Sequence, residues 1–360
     1  MRARYDIAII GAGIAGASLA AEIGTSASVI VLEAEPVPGY HATGRSAAFW
    51  TESYGGAGVQ PLTTASGAYL QVGGFLTKRG ALTIAREGDE ARLEAFAAQF
   101  AALGVRVEML DRARLEAVMP GLKPGWASGA FEPDCSDIDV AALHQHYLAA
   151  ARRADTHIVC NARLIAAMDD RSWRLELADG RTIIADILVD AAGAWADEVA
   201  AIAKVRPLGI APLLRTVAQI RTSPPPPAAL PLVLDLDEQF YFKPESGKVW
   251  LSPHDEVPSP PCDAGADELG VAQAIARFGE VVDWTIERVE HRWAGLRCFA
   301  PDRLPVYGFD PANPRFFWCA GQGGFGIQTA PAASRMAADL LLGRPIGTVD
   351  PHAYRPSRFG

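Results

Sequence analysis

The sequence has few cysteines, no long apolar run and no excess of positive charge. Its five cysteines in 360 residues are odd in number and form no CxxC pair, which argues against a disulfide framework and against a zinc site. No stretch reaches the roughly 18 uninterrupted apolar residues of a membrane-spanning helix. With 33 basic and 42 acidic residues the formal charge is −9, which gives a nucleic-acid partner little support.

These absences predict a soluble chain with reduced cysteines in the cytoplasm, and they leave peripheral association with a membrane open. Glycines interrupt the N-terminal apolar run and no small-residue cleavage site follows it, so we do not expect a signal peptide. The seven histidines lack cysteine or acidic partners at ligand spacing. No HExxH motif or Ser-His-Asp order is present. We therefore predict no metal site and no catalytic triad.

The N-terminal segment has the pattern of a βαβ unit. A compact apolar run from Tyr5 to Ile10 is followed by a glycine turn, an alanine-rich helix from Ile14 to Ile23 and a β-branched run from Ser28 to Glu33. The two strands are therefore expected to be parallel with a right-handed connection. Because 360 residues exceed the size at which one core usually stops growing, we expect a second domain as well.

The turn of this unit has GxGxxG spacing, at Gly11, Gly13 and Gly16. Gly11 permits a tight turn, Gly13 lets the backbone approach a pyrophosphate, and Gly16 allows the helix to pack closely on the strand. Glu33 ends the second strand, where a carboxylate accepts hydrogen bonds from ribose hydroxyls. The segment predicts a site for an ADP-ribose-containing dinucleotide, and it does not by itself distinguish nicotinamide from flavin.

Three further patterns predict where elements begin or turn. Asp139 is placed to cap a helix, and Asp179-Gly180 is typical of a hairpin turn. Thr329, followed by Pro331, resembles an N-cap with an early proline, so the last helix is expected to begin there. Its positive end would then face the preceding glycines and stabilise an anion or an electron-rich ring edge.

A second glycine-bearing segment, Gly39 to Ala48, follows Glu33 and contains an arginine. Here the chain resembles the D-amino acid oxidase superfamily of FAD enzymes, and more narrowly its bacterial D-arginine and D-amino acid dehydrogenases. The resemblance runs from about Tyr5 to near the C-terminus and is carried by HATGRSAA, ADILVDAAGAWAD, VRPLG, WAGLR and GGFGIQT. It implies FAD, and noncovalent FAD, because Cys298 is offset from the cysteine that links flavin in the similar sarcosine oxidases.

The resemblance also implies the architecture. We expect an α/β fold with an α+β second domain, in which a Rossmann-like FAD/NAD(P)-binding domain is interleaved with a mixed β-sheet substrate domain. The cofactor domain would comprise residues 1–80, 143–214 and 297–360, and the substrate domain residues 81–142 and 215–296. The residues expected on FAD are Gly11, Gly13, Ile14, Ala15, Glu33, Arg45, Ser46, Ala48, Leu164, Ala192, Gly193, Gly321, Gly324, Gly326, Ile327 and Gln328.

A substrate site for an amino acid is implied in the same way. A guanidinium suits a carboxylate because its planar fork makes two parallel charge-assisted hydrogen bonds. Arg297 and Arg215 are the residues expected to hold the substrate carboxylate. Tyr241 would join them, and Tyr54 would lie over the substrate. Gln328 is also expected at the substrate.

The chain departs from the D-arginine dehydrogenase pattern at two substrate-binding positions. Ala81 stands at or next to the position where D-arginine dehydrogenase has the glutamate that pairs with the substrate guanidinium. Phe49 stands where that enzyme has an active-site histidine. Losing a carboxylate removes the bond that selects a cation, and Phe49 adds apolar surface. We therefore expect a D-amino acid with a neutral or apolar side chain, although Glu52 would restore selection for cations if its side chain pointed inward.

The reaction expected from the resemblance is hydride transfer from the substrate Cα to flavin N5. The resulting imino acid hydrolyses to a 2-oxo acid and ammonia. The same scaffold also suits oxidation of a 2-hydroxy acid, or of a secondary amine or glycine in the manner of sarcosine or glycine oxidation. A flavin-bearing accessory subunit of a larger dehydrogenase is a third interpretation. No motif identifies the electron acceptor, which could be a quinone or oxygen.

Overall fold

The computed structural model describes residues 4–360. Within this range the structure has eight α-helices and 21 β-strands. The helices are Ile14–Ile23 (α1), Gln60–Val72 (α2), Glu90–Ala102 (α3), Arg112–Val118 (α4), Val140–Arg153 (α5), Ala196–Ile202 (α6), Glu268–Val281 (α7) and Gly326–Leu342 (α8). The strands are Arg4–Ile10 (β1), Val29–Leu32 (β2), Phe49–Trp50 (β3), Leu76–Lys78 (β4), Ala81–Arg86 (β5), Glu108–Asp111 (β6), Trp126–Glu132 (β7), Ser136–Ile138 (β8), His157–Val159 (β9), Leu164–Asp170 (β10), Ser172–Leu177 (β11), Thr182–Asp190 (β12), Ala211–Ser223 (β13), Leu232–Asp235 (β14), Tyr241–Glu245 (β15), Lys248–Ser252 (β16), Val257–Pro258 (β17), Thr285–Phe299 (β18), Val306–Phe309 (β19), Phe316–Ala320 (β20) and Gln322–Gly323 (β21).

One layer is an eight-stranded sheet that contains the N-terminal βαβ unit. Strand β1 lies between β12 and β2 and pairs with both in parallel. Strands β9 and β20 add further parallel pairs, whereas β10 and β11 form an antiparallel extension. Every residue of β2 is buried, as expected for a parallel strand that is covered on both faces. The predicted parallel βαβ unit is confirmed.

A second layer is a ten-stranded mixed sheet, in the order β21-β18-β13-β16-β15-β14-β5-β7-β6, with β17 attached to β13. Its strands pair antiparallel except for β14 and β5, which are parallel. The long strands β13 and β18 pair along their whole length. Three short strands, β3, β8 and β4, form a separate small sheet. Arg215 and Arg297 are brought close together because they lie on the paired strands β13 and β18, two positions out of register.

Most of the predicted element ends are confirmed, and one is wrong. Asp139 caps α5 by accepting from the Ala142 N–H at 2.9 Å, and Asp179-Gly180 turns the chain between β11 and β12. The last helix, however, begins at Gly326 rather than at Thr329. The Thr329 hydroxyl donates to the Phe325 carbonyl at 2.9 Å, so it does not cap the helix. The missing N–H of Pro331 is accommodated inside α8.

The proposed division into two discontinuous domains places two boundaries inside paired strands. Residues 214/215 fall within β13 and residues 296/297 within β18, so the division stays a prediction. No helix within residues 4–360 is both long and apolar enough to cross a bilayer. The same residues contain no cluster of three or more histidine, cysteine or acidic side chains placed to hold a metal ion.

Candidate active site

A cavity lies where the first sheet meets the second, at the carboxyl ends of β1 and β2. Its wall includes Glu33 and Leu164 from the first sheet and Arg215 and Tyr241 from the second. Most of the residues predicted to bind a cofactor or a substrate are brought together here. Those in the wall are Gly11, Gly13, Ile14, Ala15, Glu33, Arg45, Ser46, Leu164, Ala192, Gly193, Arg215, Tyr241, Arg297, Gly324, Gly326 and Ile327.

The glycine turn after β1 leaves no space for side chains. Gly11 has φ +100°, and a Cβ there would lie 2.5 Å from the Ala191 carbonyl oxygen. A Cβ on Gly16 would lie 2.0 Å from the Gly11 oxygen, because α1 packs directly on the turn. The Thr43 hydroxyl accepts from the Ile14 N–H at 2.9 Å. The N–H groups of the first turn of α1 have no acceptor within the helix, so this end can bind an anion.

Glu33 lies at the end of β2 and is 9% exposed. One carboxylate oxygen accepts from the Ala12 N–H at 2.8 Å and the other from the Glu35 N–H at 3.0 Å. These two bonds fix the orientation of the carboxylate. A carboxylate has about four acceptor positions, so Glu33 retains the capacity to bind the hydroxyls of a ribose.

The start of α8 faces the opposite part of the cavity. Gly326 and Ile327 are the first two residues of the helix, and both line the wall. Their N–H groups have no intrahelical acceptors, and the positive end of the helix dipole lies here. The predicted electropositive end is therefore present, three residues earlier in the chain than expected. It suits the electron-rich edge of a planar ring.

Arg45 lines the cavity, but its guanidinium is used by the protein itself. It donates to the Ala264 carbonyl at 2.6 Å and to the Ala294 carbonyl at 3.3 Å, and it also pairs with Asp263. These bonds hold the loop before α7 and strand β18 against the second glycine segment. The cavity therefore combines a glycine turn, the oriented carboxylate of Glu33 and two helix starts, a set that fits FAD.

Arg215 is the buried cation of the site, with its side chain 3% exposed. Its Nε donates to the Asp255 carbonyl at 2.8 Å, and one terminal nitrogen lies 3.4 Å from Glu256 Oε1. The other terminal nitrogen, Nη1, is buried with no partner among residues 4–360. Burial, and then the neighbouring charge of Arg297, lower the pKa of Arg215. An anion bound beside Arg215 would give Nη1 a hydrogen-bond partner. It would also raise the pKa of Arg215 again, against the effects of burial and of the Arg297 charge.

Arg297 also lines the cavity, and its Nη1 donates to the Tyr54 hydroxyl. A Cβ on Gly324 would lie only 1.9 Å from Arg297 Nη1 and 3.0 Å from the Tyr54 oxygen. The glycine therefore leaves room for this guanidinium. Two arginines thus line one end of the cavity, with the Tyr54 hydroxyl bonded to Arg297 just outside the wall, and two such guanidinium groups can bind a carboxylate.

Next to the arginines is an aromatic cluster, formed by Phe49, Tyr54, Tyr241, Phe299 and Phe325. The ring centroid of Phe49 lies 5.1 Å from that of Tyr54 and 6.0 Å from that of Tyr241. Ala81, which is 2% exposed, is part of the same buried core. Phe49, Tyr54 and Ala81 do not line the cavity. Apolar side chains therefore occupy the space beside the two arginines.

Four other residues from the sequence analysis also lie away from the cavity wall. Gln328 follows Ile327 on α8, and the helical rotation turns it to another face, where it is 2% exposed. The Ala48 carbonyl accepts from the Ile138 N–H at 3.2 Å, and Gly321 packs near Ala300. The Glu52 carboxylate accepts from the Thr64 hydroxyl, and burial raises its pKa. Glu52 therefore does not provide an inward charge for a cationic substrate.

Sequence reasoning missed several residues of the site. Thr43 lies inside the segment HATGRSAA, but its hydrogen bond with the Ile14 N–H joins residues 29 positions apart. This contact could not be inferred from the sequence alone. His254 packs against Tyr54 and Tyr241, with ring centroids 6.2 and 5.8 Å away. Burial, and then the charges of Arg215 and Arg297, lower the pKa of His254 to about 2. This imidazole is neutral, and no sequence motif marks it.

A protein-family model matches most of the chain. The model of the DAO family, described as FAD dependent oxidoreductase, matches residues 6–340. Glycine oxidase of Pseudomonas aeruginosa is 27% identical over 256 residues, which are 67% of this chain and 65% of that relative. The chain thus aligns with slightly less than two thirds of this relative's length. D-amino acid dehydrogenase of Paramagnetospirillum magneticum is 28% identical over 284 residues, 74% of this chain and 64% of that relative.

A solved structure supports the fold. The crystal structure of glycine oxidase from Geobacillus kaustophilus superposes with a TM-score of 0.86, and the match covers 99% of each chain at 22% identity. The predicted fold class, a Rossmann-like cofactor domain with a mixed-sheet substrate domain, is confirmed. Other relatives are also named glycine oxidases. The resemblance expected from the sequence is therefore supported for the family, whereas its narrower form, to D-arginine and D-amino acid dehydrogenases, is matched by one relative at low identity.

Proposed function

Since the chain belongs to the DAO family of FAD-dependent oxidoreductases, we propose that it oxidises a small amino acid of the glycine type, either glycine or its N-methyl derivative. The observation that carries this proposal is the filled space beside the two arginines. Phe49 and Ala81, which were expected to line a side-chain pocket, are 5% and 2% exposed and lie outside the cavity wall. A carboxylate site without a side-chain pocket favours the smallest amino acid.

FAD is the cofactor, and when bound it would supply the acceptor for one hydride, that is, two electrons and a proton, from the substrate carbon. In this proposal Glu33 would hold the ribose, the start of α1 would bind the diphosphate, and the amides of Gly326 and Ile327 would bind the ring edge. The amide N–H groups at the start of α8 favour negative charge at that edge. None of these assignments needs a metal ion or a side-chain base.

Arg297 and Arg215 orient the substrate by its carboxylate. With the carboxylate fixed, the Cα–H bond can be directed at the ring, and this positioning is the main contribution of the protein. The two positive charges also favour the neutral form of the substrate amine, whose lone pair assists departure of the hydride. The aromatic cluster excludes water from this end of the cavity. The imino acid product then hydrolyses to the 2-oxo acid, with release of ammonia from glycine or of methylamine from N-methylglycine.

A D-amino acid with a neutral or apolar side chain is the second candidate substrate. It is favoured by the relationship to D-amino acid dehydrogenase of Paramagnetospirillum magneticum and by the apolar character of Phe49. A side chain on the substrate would need Phe49 or Tyr54 to move. Cationic D-amino acids remain disfavoured, because the nearby buried carboxylates of Glu132 and Asp255 already accept hydrogen bonds from the protein.

An anaerobic substrate panel tests this proposal. We expect glycine or N-methylglycine to bleach the oxidised flavin fastest, neutral D-amino acids such as D-leucine and D-methionine more slowly, and D-arginine and D-lysine slowest. Phe49→Ala should raise kcat/KM for D-leucine relative to glycine, because it opens the space next to Tyr241. Stopped-flow absorbance of the flavin gives the rates, and Phe96→Ala, on α3 away from the site, is the control variant.

Two results of the panel would reject the proposal. A clear preference for D-arginine or D-lysine would reject both the glycine-type and the neutral-side-chain substrates. Bleaching of the flavin by 2-hydroxy acids, but by no amine, would show that the enzyme oxidises an alcohol group instead of an amine. Reoxidation of the reduced protein with oxygen or with a quinone then identifies the electron acceptor.

The flavin is expected to be bound noncovalently. Cys298 lines the cavity, but burial raises the pKa of its thiol to about 12, so the nucleophilic thiolate is not populated at neutral pH. Acid precipitation should therefore release all of the yellow chromophore into the supernatant, from the wild type and from Cys298→Ala alike. Colour that stays with the wild-type pellet and is lost from the Cys298→Ala pellet would establish a thioether link instead.

A further inference from the structure

The segment from Thr51 to Tyr54 is held by a buried carboxylate on the second sheet. Glu132 ends β7 and is 3% exposed. Its Oε1 accepts from the Glu52 N–H at 2.6 Å. Its Oε2 accepts from the Ser53 N–H at 3.3 Å and from the Ser53 hydroxyl at 2.6 Å. Two consecutive backbone N–H groups are therefore fixed by one side chain.

Gln328 on α8 holds the two ends of the same segment. Its amide oxygen lies 3.3 Å from the Thr51 nitrogen, and its amide nitrogen donates to the Tyr54 carbonyl at 3.2 Å. Glu132 and Gln328 thus bind four consecutive residues from elements that belong to different layers of the fold. The segment ends in Tyr54, whose hydroxyl accepts from Arg297.

Glu132 depends on the segment as much as the segment depends on Glu132. Burial of a carboxylate is costly unless hydrogen bonds stabilise its charge. Within residues 4–360 no basic side chain makes an ion pair with Glu132, and the three donors of the segment are its hydrogen-bond partners. Displacing the segment would leave a buried, unsatisfied charge. The contact therefore favours a single position of the segment over a range of positions.

We propose that Glu132 is a positioning residue that sets the Tyr54 hydroxyl against Arg297, so that Tyr54 closes over the carboxylate of the bound substrate. The identity of the substrate in this assignment rests on the proposed function, whereas the contacts of Glu132 with the segment are independent of it. Glu132 faces Ala81 across the paired strands β5 and β7. A buried acid is thus present at the position where the sequence lacks one, but it binds the segment rather than a cationic substrate.

Glu132→Gln is the direct test. The amide keeps the size of the side chain and one acceptor oxygen, but it places an NH2 donor against the other backbone N–H group, so the segment should leave its closed position for part of the time. We expect the Kd of acetate, which has a carboxylate and no oxidisable amine, to rise about 10-fold. KM for the amino acid should rise by a similar factor, with kcat changed less than about 3-fold. Acetate binding is read from the shift of the flavin spectrum without turnover.

A double-mutant cycle with Tyr54→Phe distinguishes positioning from a general structural role. If Glu132 acts through Tyr54, the Tyr54→Phe change should weaken acetate binding much less in the Glu132→Gln background than in the wild type. Ser53→Ala removes one of the three donors and leaves the carboxylate in place, so it should shift the Kd in the same direction by a smaller factor. Asp134→Asn, two residues from Glu132 and exposed, should leave the Kd unchanged.

Additive effects of Glu132→Gln and Tyr54→Phe, or an unchanged acetate Kd in both Glu132→Gln and Ser53→Ala, would overturn this assignment. If Glu132→Gln folds poorly, the double-mutant cycle is measured with Ser53→Ala and Tyr54→Phe instead. Additive effects on the acetate Kd in that cycle would likewise overturn the assignment. If no amine reduces the wild-type flavin while the acetate cycle shows coupling, the proposed function fails and the role of Glu132 stands. If amines reduce the flavin and the cycle is additive, the reverse holds.

Discussion

Arg297→Met should lower kcat/KM for the amino acid substrate by about 10²- to 10³-fold, because it removes the cation that fixes the carboxylate. Methionine retains much of the volume of the side chain, so the aromatic cluster should stay packed. The Tyr54 hydroxyl also loses the guanidinium that donates to it, so the change should raise KM and reduce the rate of anaerobic flavin bleaching together. Single-turnover stopped-flow measurements over a range of substrate concentrations separate the two effects.

Arg292→Met is the matched control for this prediction. Arg292 lies on the same strand, β18, but its exposed side chain forms a 3.3 Å ion pair with Glu268 at the surface. Exposed ion pairs contribute little, so kcat/KM should stay within about twofold of the wild type. An Arg297→Met protein that bleaches at close to the wild-type rate would show that Arg297 does not hold the carboxylate. Arg215 would then be the first alternative, because its Nη1 has no partner in the described part of the chain.

Most of the elements that depend on local interactions could be predicted from the sequence. Strand β1, helix α1 and strand β2 follow from an apolar run, a glycine turn and a second apolar run that are contiguous in the chain. The Asp139 cap likewise depends on an N–H three residues away. The start of α8 was misjudged because Thr329 and Pro331 match a helix-start pattern, whereas the Thr329 hydroxyl bonds to a carbonyl inside the helix.

The contacts that shape the substrate end of the cavity are long-range, and no local pattern marks them. Glu132 reaches a segment about 80 positions earlier in the chain, and Gln328 reaches Tyr54 across 274 positions. Phe49 was identified as an apolar substitution, but only packing shows that its ring fills the space next to Tyr241. Residue type indicated which chemistry was present, and the three-dimensional structure determined how much space was left for the substrate.

The glycine turn gives the second large expected effect, since Gly11→Ala should strongly weaken FAD binding. A Cβ at this position would meet the Ala191 oxygen at 2.5 Å and the Ala192 Cα at 3.2 Å. Both are backbone atoms, so no side-chain rotation relieves the contact, and φ +100° is itself strained for alanine. A strain of about 3 kcal/mol that acts on the bound conformation would weaken FAD binding by about 10²-fold.

The measurements are the FAD-to-protein ratio after purification, the Kd of FAD from quenching of its fluorescence, and thermal unfolding with and without added FAD. Added FAD should raise the Tm of apo wild type, since a ligand that binds only the folded state stabilises it. Gly11→Ala should show a much smaller rise. Its apo form should unfold only slightly below apo wild type, because strain that lowers FAD affinity must be largely released when the cofactor is absent.

Gly24→Ala separates the cost of backbone conformation from the loss of the cofactor site. Gly24 also has a positive φ, +58°, and ends the helix that Gly11 precedes, but a Cβ there would have no atom within 4 Å. This variant should lose about 1 kcal/mol of stability and bind FAD like the wild type. Equal loss of FAD in both variants would place the effect in α1 as a whole. Normal FAD affinity in Gly11→Ala would show that the turn does not approach the diphosphate.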